Sequence, residues 1–197
     1  METKTCTATL TGIAPLQFGK PVTSEKIQGE KPDDYEKRTW RERVHVNAEG
    51  WAFIPPMALK NGLEATAKYL AETIPGKGKA TYTKHFKAGV MVIEPLVLNV
   101  KAKDIEPTRL FVPSDGKKGG GTRVYRLFPI VREGWVTTCS IMVMDPILLS
   151  GGDNNDPCYK VREYLKHMAT FNGLGSFAPR VGGYYGRYVV SNWNVLG

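Results

Sequence analysis

Two segments of this chain repeat apolar residues at helical spacing, and each stands between strand-like segments. That alternation constrains the fold more than any other feature. In the first segment, Leu59, Leu63, Ala67 and Leu70 recur every three or four residues and predict one buried helical stripe. Pro55 and Pro56 open it, because proline suits a first helical turn, and Pro75-Gly76 end it. Glu64 stands four residues before Lys68, a supportive surface pair. In the second segment, Val161, Leu165 and Met168 mark the buried face. Asp156 and Pro157 form a cap and first turn there, and Asn172-Gly173 stops the helix.

The strands read as follows. Residues 6–13 alternate threonine with apolar side chains, a first strand. Residues 15–43 turn polar, with Gly19, Pro21, Gly29 and Pro32, and predict a long loop carrying Asp33, Asp34, Tyr35, Arg38, Trp40 and Arg41. Residues 44–46 and 51–54 flank Asn47-Ala48-Glu49-Gly50, a hairpin signal. Residues 89–100 read as a strand interrupted at Pro95, and residues 136–144 as another. Between them, residues 104–132 predict a projecting hairpin with a basic, glycine-rich tip at 114–121. A glycine-rich loop from Gly173 to Gly186 and a last strand at 188–190 close the chain. The order predicts an α+β fold of one domain over residues 1–197, with a ferredoxin-like β-α-β-β-α-β core. A long loop follows its first strand, and the hairpin is an insertion. No internal repeat is evident.

Lys plus Arg number 27 against 19 Asp plus Glu, and the excess is segregated. No acidic residue follows Glu163, whereas Lys166, Arg180 and Arg187 do; residues 76–89 hold Lys77, Lys79, Lys84 and Lys87 without one acid. Clustered positive charge is what a phosphate-tracking surface needs. Apolar residues make up 42%, enough for a core, which excludes wholesale disorder. Cys6, Cys139 and Cys158 are odd in number and unpaired in spacing, which excludes a disulfide framework and a zinc ribbon and fits a reducing cytoplasm. The first strand starts within the opening residues, so no leader peptide is expected. No apolar run reaches membrane-spanning length.

The strongest chemical signal is the stretch Gly173-Leu174-Gly175-Ser176-Phe177-Ala178-Pro179-Arg180-Val181-Gly182-Gly183-Tyr184-Tyr185-Gly186-Arg187. Glycines let a backbone approach phosphate and present N–H groups to an anion. Arg180 and Arg187 add charge-assisted bonds, and Tyr184 and Tyr185 are candidates to stack on bases, one of the two being core by strand alternation. The loop follows a helix and precedes a strand, the reverse of a dinucleotide fingerprint, and no Walker A pattern occurs. A second signal is the stretch 54–63, which sets Lys60 and Asn61 on the first turns of a helix, where free N–H groups and the dipole favour an anion.

These two motifs, in this order, resemble the RAMP superfamily, the repeat-associated proteins of CRISPR systems. That family is built on ferredoxin-like, RRM-related folds, with an "IPGSSLKG"-like helix start and a glycine-rich loop after the last helix. Ile54 to Gly62 is similar to the first motif, with Pro56, Met57 and Ala58 departing from the usual Gly-Ser-Ser; Gly173 to Arg187 resembles the second. The nearest member type is the backbone subunit of Cascade-like effectors, which polymerises along a guide RNA and interrupts the duplex with a thumb-like hairpin. The resemblance implies that Lys60 and the glycine-rich loop line the RNA groove and that residues 104–132 form the thumb. It also implies other effector subunits as partners.

Further candidate nucleic-acid ligands are Arg38, Trp40 and Arg41 in the long loop, Lys77, Lys79, Lys84 and His85 in the basic stretch, and Lys117, Lys118 and Arg123 at the hairpin. Trp40, between Thr39 and Arg41, is the stacking candidate, while Trp51 reads as core. His45 and His167 read as structural or exposed. Some relatives cleave RNA through an aspartate after the first strand, a place that Asp33 and Asp34 occupy here; an ordinary solvated acidic pair is the competing reading and the favoured one. The three histidines lack partners at metal-ligand spacing, and no cofactor or metal is expected. The expected partner is therefore single-stranded RNA, with the protein oligomerising along it. Single-stranded DNA, for a protein of a virus or mobile element, is the alternative.

Overall fold

The structure, a computed structural model, describes residues 3–114, 121–153 and 155–196. Its elements in order are β1 (Lys4–Gly12), β2 (Leu16–Gln17), α1 (Pro32–Thr39), β3 (Trp51–Ile54), α2 (Pro56–Leu70), α3 (Thr83–Gly89), β4 (Val90–Val92) and β5 (Leu96–Lys101). They continue with β6 (Glu106–Pro113), β7 (Arg123–Val131), β8 (Val136–Val143), α4 (Pro146–Leu149), α5 (Tyr159–Phe171) and β9 (Tyr188–Leu196). The fold is mixed α and β, and every strand pairing is antiparallel.

The alternation in β1 sorts its side chains between two environments. Cys6, Ala8 and Leu10 are buried, and the threonines between them lie on the other, partly open face. β1 pairs with β8 on one side and β9 on the other, and β4 adds beyond β8, giving the order β4-β8-β1-β9. α2 connects β1 to β4, two strands that run the same way with β8 between them. α5 connects β8 to β9, with β1 between them. Both helices bury their stripes in the core beneath β1 and β8: Leu59, Leu63 and Ala67 from α2, and Val161, Leu165 and Met168 from α5.

The two helices cross where a side chain is missing. A Cβ at Gly62 would collide with the Met168 thioether, whose sulfur lies 2.8 Å from that point. Thr66 Oγ1 bonds back to Gly62 O at 2.8 Å, and Asn172, which ends α5, donates its amide to Thr66 Oγ1. Trp135 closes the lower end of the sheet: its indole N–H donates to Ala14 O at 3.0 Å, and its ring occupies the space a side chain at residue 12 would fill.

Two smaller sheets flank this one: β2-β7-β6, and β3 with β5. β6 and β7 form the hairpin anticipated from the sequence, in continuous register from Glu106↔Ile130 to Pro113↔Arg123. The interruption at Pro95 separates β4 from β5, which join different sheets. The turn at 47–50 is also present: Phe53 N donates to His45 O, and Asn47 N to Trp51 O.

Several expectations are corrected. Residues 15–43 are not one long loop; they hold β2, α1 and a 3-10 turn at Trp40–Arg43. Pro32 at the start, Asp33 and Asp34 in the first turn and Lys37 and Arg38 in the last suit a helix end to end. Only Thr39 of α1 is buried, so no apolar stripe advertised it. The basic stretch ends in α3, anchored by buried Phe86. α5 starts at Tyr159, later than Asp156-Pro157, because Asp156 Oδ1 accepts from Cys158 N at 3.0 Å in a turn before the helix. Glu64 pairs with Lys60 at 3.8 Å. Trp51 is half-buried, under the Lys101 ammonium. The last strand runs on to Leu196, and α4 was not anticipated. No helix among the described residues is long and apolar enough to cross a membrane.

Candidate nucleic-acid interface

The glycine-rich loop folds back on itself. Leu174 N donates to Gly186 O, Tyr185 N to Phe177 O, and Gly183 N to Ala178 O, while Ser176 N reaches Gln17 O in β2 and Gly186 N reaches Pro15 O just before it. These N–H groups are consumed internally, so they do not form the anion nest the glycines suggested. The glycines serve close backbone approach instead. A Cβ at Gly183 would strike Phe177 O, and one at Gly186 would strike Leu174 O.

Arg180 holds this loop together. Its guanidinium donates to Asn172 O at 3.3 Å, Gly173 O at 3.2 Å and Gly175 O at 2.5 Å. Partial burial lowers its pKa from the ordinary value. Tyr184 is 57% exposed, whereas Tyr185 is half-buried edge-on to Phe177, with its hydroxyl pKa raised by burial. Both tyrosines precede the last strand, which starts at Tyr188, so strand alternation does not sort them, and neither is a core residue. Arg187 Nε donates to Tyr184 O at 3.2 Å.

The loop forms one wall of a groove of about 520 Å³. The opposite wall is the entry to α2, through Ile54, Pro55, Ala58 and Asn61; the floor comes from residues 16–21 and His45. Segments more than a hundred residues apart in sequence meet here: Asn61 on one wall, Gly175, Ser176 and Arg180 on the other. Lys20 adds a second cation, and among the described residues no carboxylate lines the groove. Pro55 and Ala58, at the start of α2, line it, which brings the partial positive charge of that helix end close by. Burial, then the Lys20 charge, pushes the His45 pKa below its usual value, so the imidazole is neutral near pH 7.

Other sequence candidates fall elsewhere. Lys60 turns away from the groove: its ammonium donates to Phe86 O at 2.5 Å and Lys87 O at 3.0 Å, capping the last turn of α3. Its side chain is 12% exposed, and burial lowers its pKa against the raising effect of Glu64. Lys60 thus has its ammonium bonded to two α3 carbonyls, with Glu64 3.8 Å away, and does not line the groove. Trp40 is buried in the core, with the Arg41 guanidinium 4.2 Å from its ring centre, so the ring is closed to bases. Arg38 is committed to Glu30 through two 2.9 Å bonds. Arg41, Lys77, Lys79, Lys84 and Arg123 are exposed. His85 is half-buried, its pKa lowered by burial and by Lys84. None of these lines the groove. Lys117 and Lys118 lie outside the described residues.

Sequence reasoning missed Lys20 and His45 as groove residues. Lys20 follows Gly19 in a stretch with no helical or strand period, and only the fold brings it opposite Asn61. Asp33 and Asp34 sit in the first turn of α1, with Asp34 paired to Lys37 at 3.7 Å. Among the described residues, no group of three or more His, Cys, Asp or Glu side chains is placed to hold a metal ion.

No protein-family model matches this sequence. No curated protein matches it. Among solved structures, the fold is similar to a chain in the cryo-EM structure of the Type III-B Cmr-beta bound to cognate target RNA, at a TM-score of 0.54 and 12% sequence identity. The match takes in 99% of this chain and 61% of that one, so the present chain spans about three-fifths of its neighbour's length. At that identity the likeness is one of fold.

Proposed function

We propose that this chain is a single-stranded RNA-binding subunit of the CRISPR effector-backbone kind, which assembles along a guide RNA in the cytoplasm with further copies and other effector subunits. One observation carries the reading. The α2 entry and the glycine-rich loop, the two motifs that resemble those of the RAMP superfamily, face each other across a groove that, among the described residues, holds two cations and no carboxylate. The order β9-β1-β8-β4, with α2 and α5 packed beneath, supports a ferredoxin-like core. The neighbour of similar fold is a chain in the structure of the Type III-B Cmr-beta bound to cognate target RNA. The β6–β7 hairpin takes the part of the thumb. Lys20, Asn61 and Arg180 track the backbone, Lys77, Lys79, Lys84, His85, Arg41 and Arg123 add to the field, and Tyr184, Tyr185 and Arg187 border the loop. Base pairing by the bound guide then reads sequence, as in RNA-guided recognition generally.

The test is fluorescence anisotropy with an unstructured single-stranded RNA across a salt series. Affinity is expected to fall linearly on a log–log plot, and Lys20→Ala to make the slope shallower by about 0.7, the contribution of one phosphate contact on a single strand. Salt-insensitive binding, or a slope that Lys20→Ala leaves unchanged, would overturn this groove as the site. Competition with a DNA oligonucleotide of the same sequence separates RNA from the single-stranded DNA alternative, because only RNA offers a 2′-hydroxyl.

A further inference from the structure

One face of the β6–β7 hairpin carries four side chains in a continuous strip. Phe111 and Tyr125 are direct cross-strand partners, and their rings lie 4.9 Å apart. The Arg109 guanidinium sits over the Tyr125 ring at 4.2 Å, and that of Arg123 over the Phe111 ring at 5.9 Å. The sequence of planes is therefore Arg109, Tyr125, Phe111, Arg123. Alternation along both strands puts them on one side of the hairpin, while Leu110, Val112 and Val124 take the other. The buried side already gives the hairpin its apolar contact, with Val112 buried. The strip stays open: Phe111 is 51% exposed and Tyr125 53%.

We infer that this strip is a base-stacking platform for single-stranded nucleic acid, with Phe111 and Tyr125 supplying ring faces and Arg109 and Arg123 supplying charged planes at either end. It rests on the proposed function, since it deepens how the same ligand is held. Exposed rings flanked by guanidinium groups match a polyanion that carries flat π surfaces: bases stack on the rings, and the guanidinium groups answer the phosphates. At about 3.3 Å per residue, the strip from residue 109 to 113 spans roughly 13 Å, room for two or three stacked bases. The hollow beside Tyr125 is lined by Arg109, Arg126 and Lys37 against Asp33 and Glu36; Lys37 pairs with Asp34 and Arg126 donates to Ser114 O, while Glu36 is engaged by Arg43 and by Leu127 N, so Arg109 is the cation left to the strip there. The open face of the four-stranded sheet has no such rings; it presents Thr5, Thr7, Thr9, Thr11 and Thr138. A stacking surface on this protein is thus found on the hairpin, away from that face.

The test uses the full chain and a short single-stranded RNA carrying 2-aminopurine, a base whose fluorescence is quenched on stacking. Binding of the parent protein is expected to quench it. Phe111→Ala and Tyr125→Ala should each weaken binding about tenfold and relieve the quenching, with the salt slope unchanged. Tyr125→Phe, which keeps the ring, should bind as the parent does. Arg109→Ala should weaken binding and make the slope shallower. If the parent binds and both alanine variants bind equally well with full quenching, the platform is wrong while the groove reading stands. If they alter only the sedimentation of the protein with itself, the strip is a protein contact and the inference is overturned. If the parent binds no single strand at all, both readings fall together.

Discussion

Asn172 donates its side-chain amide to Thr66 Oγ1 at 2.5 Å, fastening the end of α5 to the C-terminal half of α2. The same amide reaches Gly62 O at 3.2 Å. Asn172 is also where the glycine-rich loop begins, and its carbonyl accepts from Arg180. Through this one buried residue, the helix that forms one wall of the groove is tied to the loop that forms the other.

Removing the tie should loosen both walls. Asn172→Ala leaves the buried Thr66 hydroxyl oxygen without its donor and takes one of two side-chain donors from the Gly62 carbonyl, a loss of about 2 kcal/mol, or roughly 4–8 °C in Tm for a chain of this size. Thr66→Val keeps the shape and removes the acceptor. Urea unfolding of the two single variants and the double variant should show a coupling of about 1 kcal/mol or more. An additive cycle would mean the bond contributes nothing of its own.

Glycine positions separate backbone freedom from lack of space. Gly29 and Gly186 both have positive φ, 79° and 66°. Around Gly29 a Cβ meets nothing within 4 Å, whereas at Gly186 it lands on the Leu174 carbonyl. Gly29→Ala should cost about 1–2 kcal/mol, the strain of a left-handed residue. Gly186→Ala must also displace the loop, so its cost should exceed about 3 kcal/mol, and RNA affinity should fall with it. Equal losses in chemical denaturation would contradict the packing account.

Lys60 and Lys20 make an opposed pair of tests. Lys60→Met keeps the aliphatic stem and removes the cap on the Phe86 and Lys87 carbonyls, at a cost of about 1–2 kcal/mol. Its effect on the salt dependence of RNA binding should be small. Lys20→Ala, on an exposed groove residue, should do the reverse. Thermal melts and salt titrations of both variants decide between the structural and the ligand-binding lysine.

The Glu30–Arg38 pair should be visible on acid titration. The Arg38 hydrogen bonds pull the Glu30 carboxyl down from 4.5 to about 2. Because the folded pKa is the lower one, the pair's contribution is complete above pH 4.5 and is lost as pH falls from there through 2. Following the Glu30 carboxyl carbon by NMR should give a midpoint near 2, moving back toward 4.5 in Arg38→Gln. An unshifted midpoint in the parent protein would show that the pair is not formed in solution.

Periodicity made the frame of this fold legible. Leu59, Leu63 and Ala67, and Val161, Leu165 and Met168, all lie in the core, and the β6–β7 hairpin and the break at Pro95 fall where turn residues marked them. α1 escaped notice because it buries one residue and has no stripe to read. The direction of a long side chain is not written in its neighbours either. Lys60 stands on the first turns of α2, as expected, yet its ammonium is drawn to α3 carbonyls that lie 26 and 27 positions along the chain.

What the sequence determined by itself was the local pattern: which stretches carry an apolar helical stripe, which alternate, where backbone freedom is needed, and that positive charge is clustered. Those properties depend on residues a few positions apart, so they survive without a fold. The tertiary structure alone decided which cations remain available to a ligand. It buried Trp40 beneath Arg41, spent Arg38 on Glu30 and Lys60 on α3, and brought Lys20 and His45 opposite Asn61 and Arg180. The reason is physical. A charged or polar group taken from water must find a partner, and the partners are set by which distant segments the core packs together.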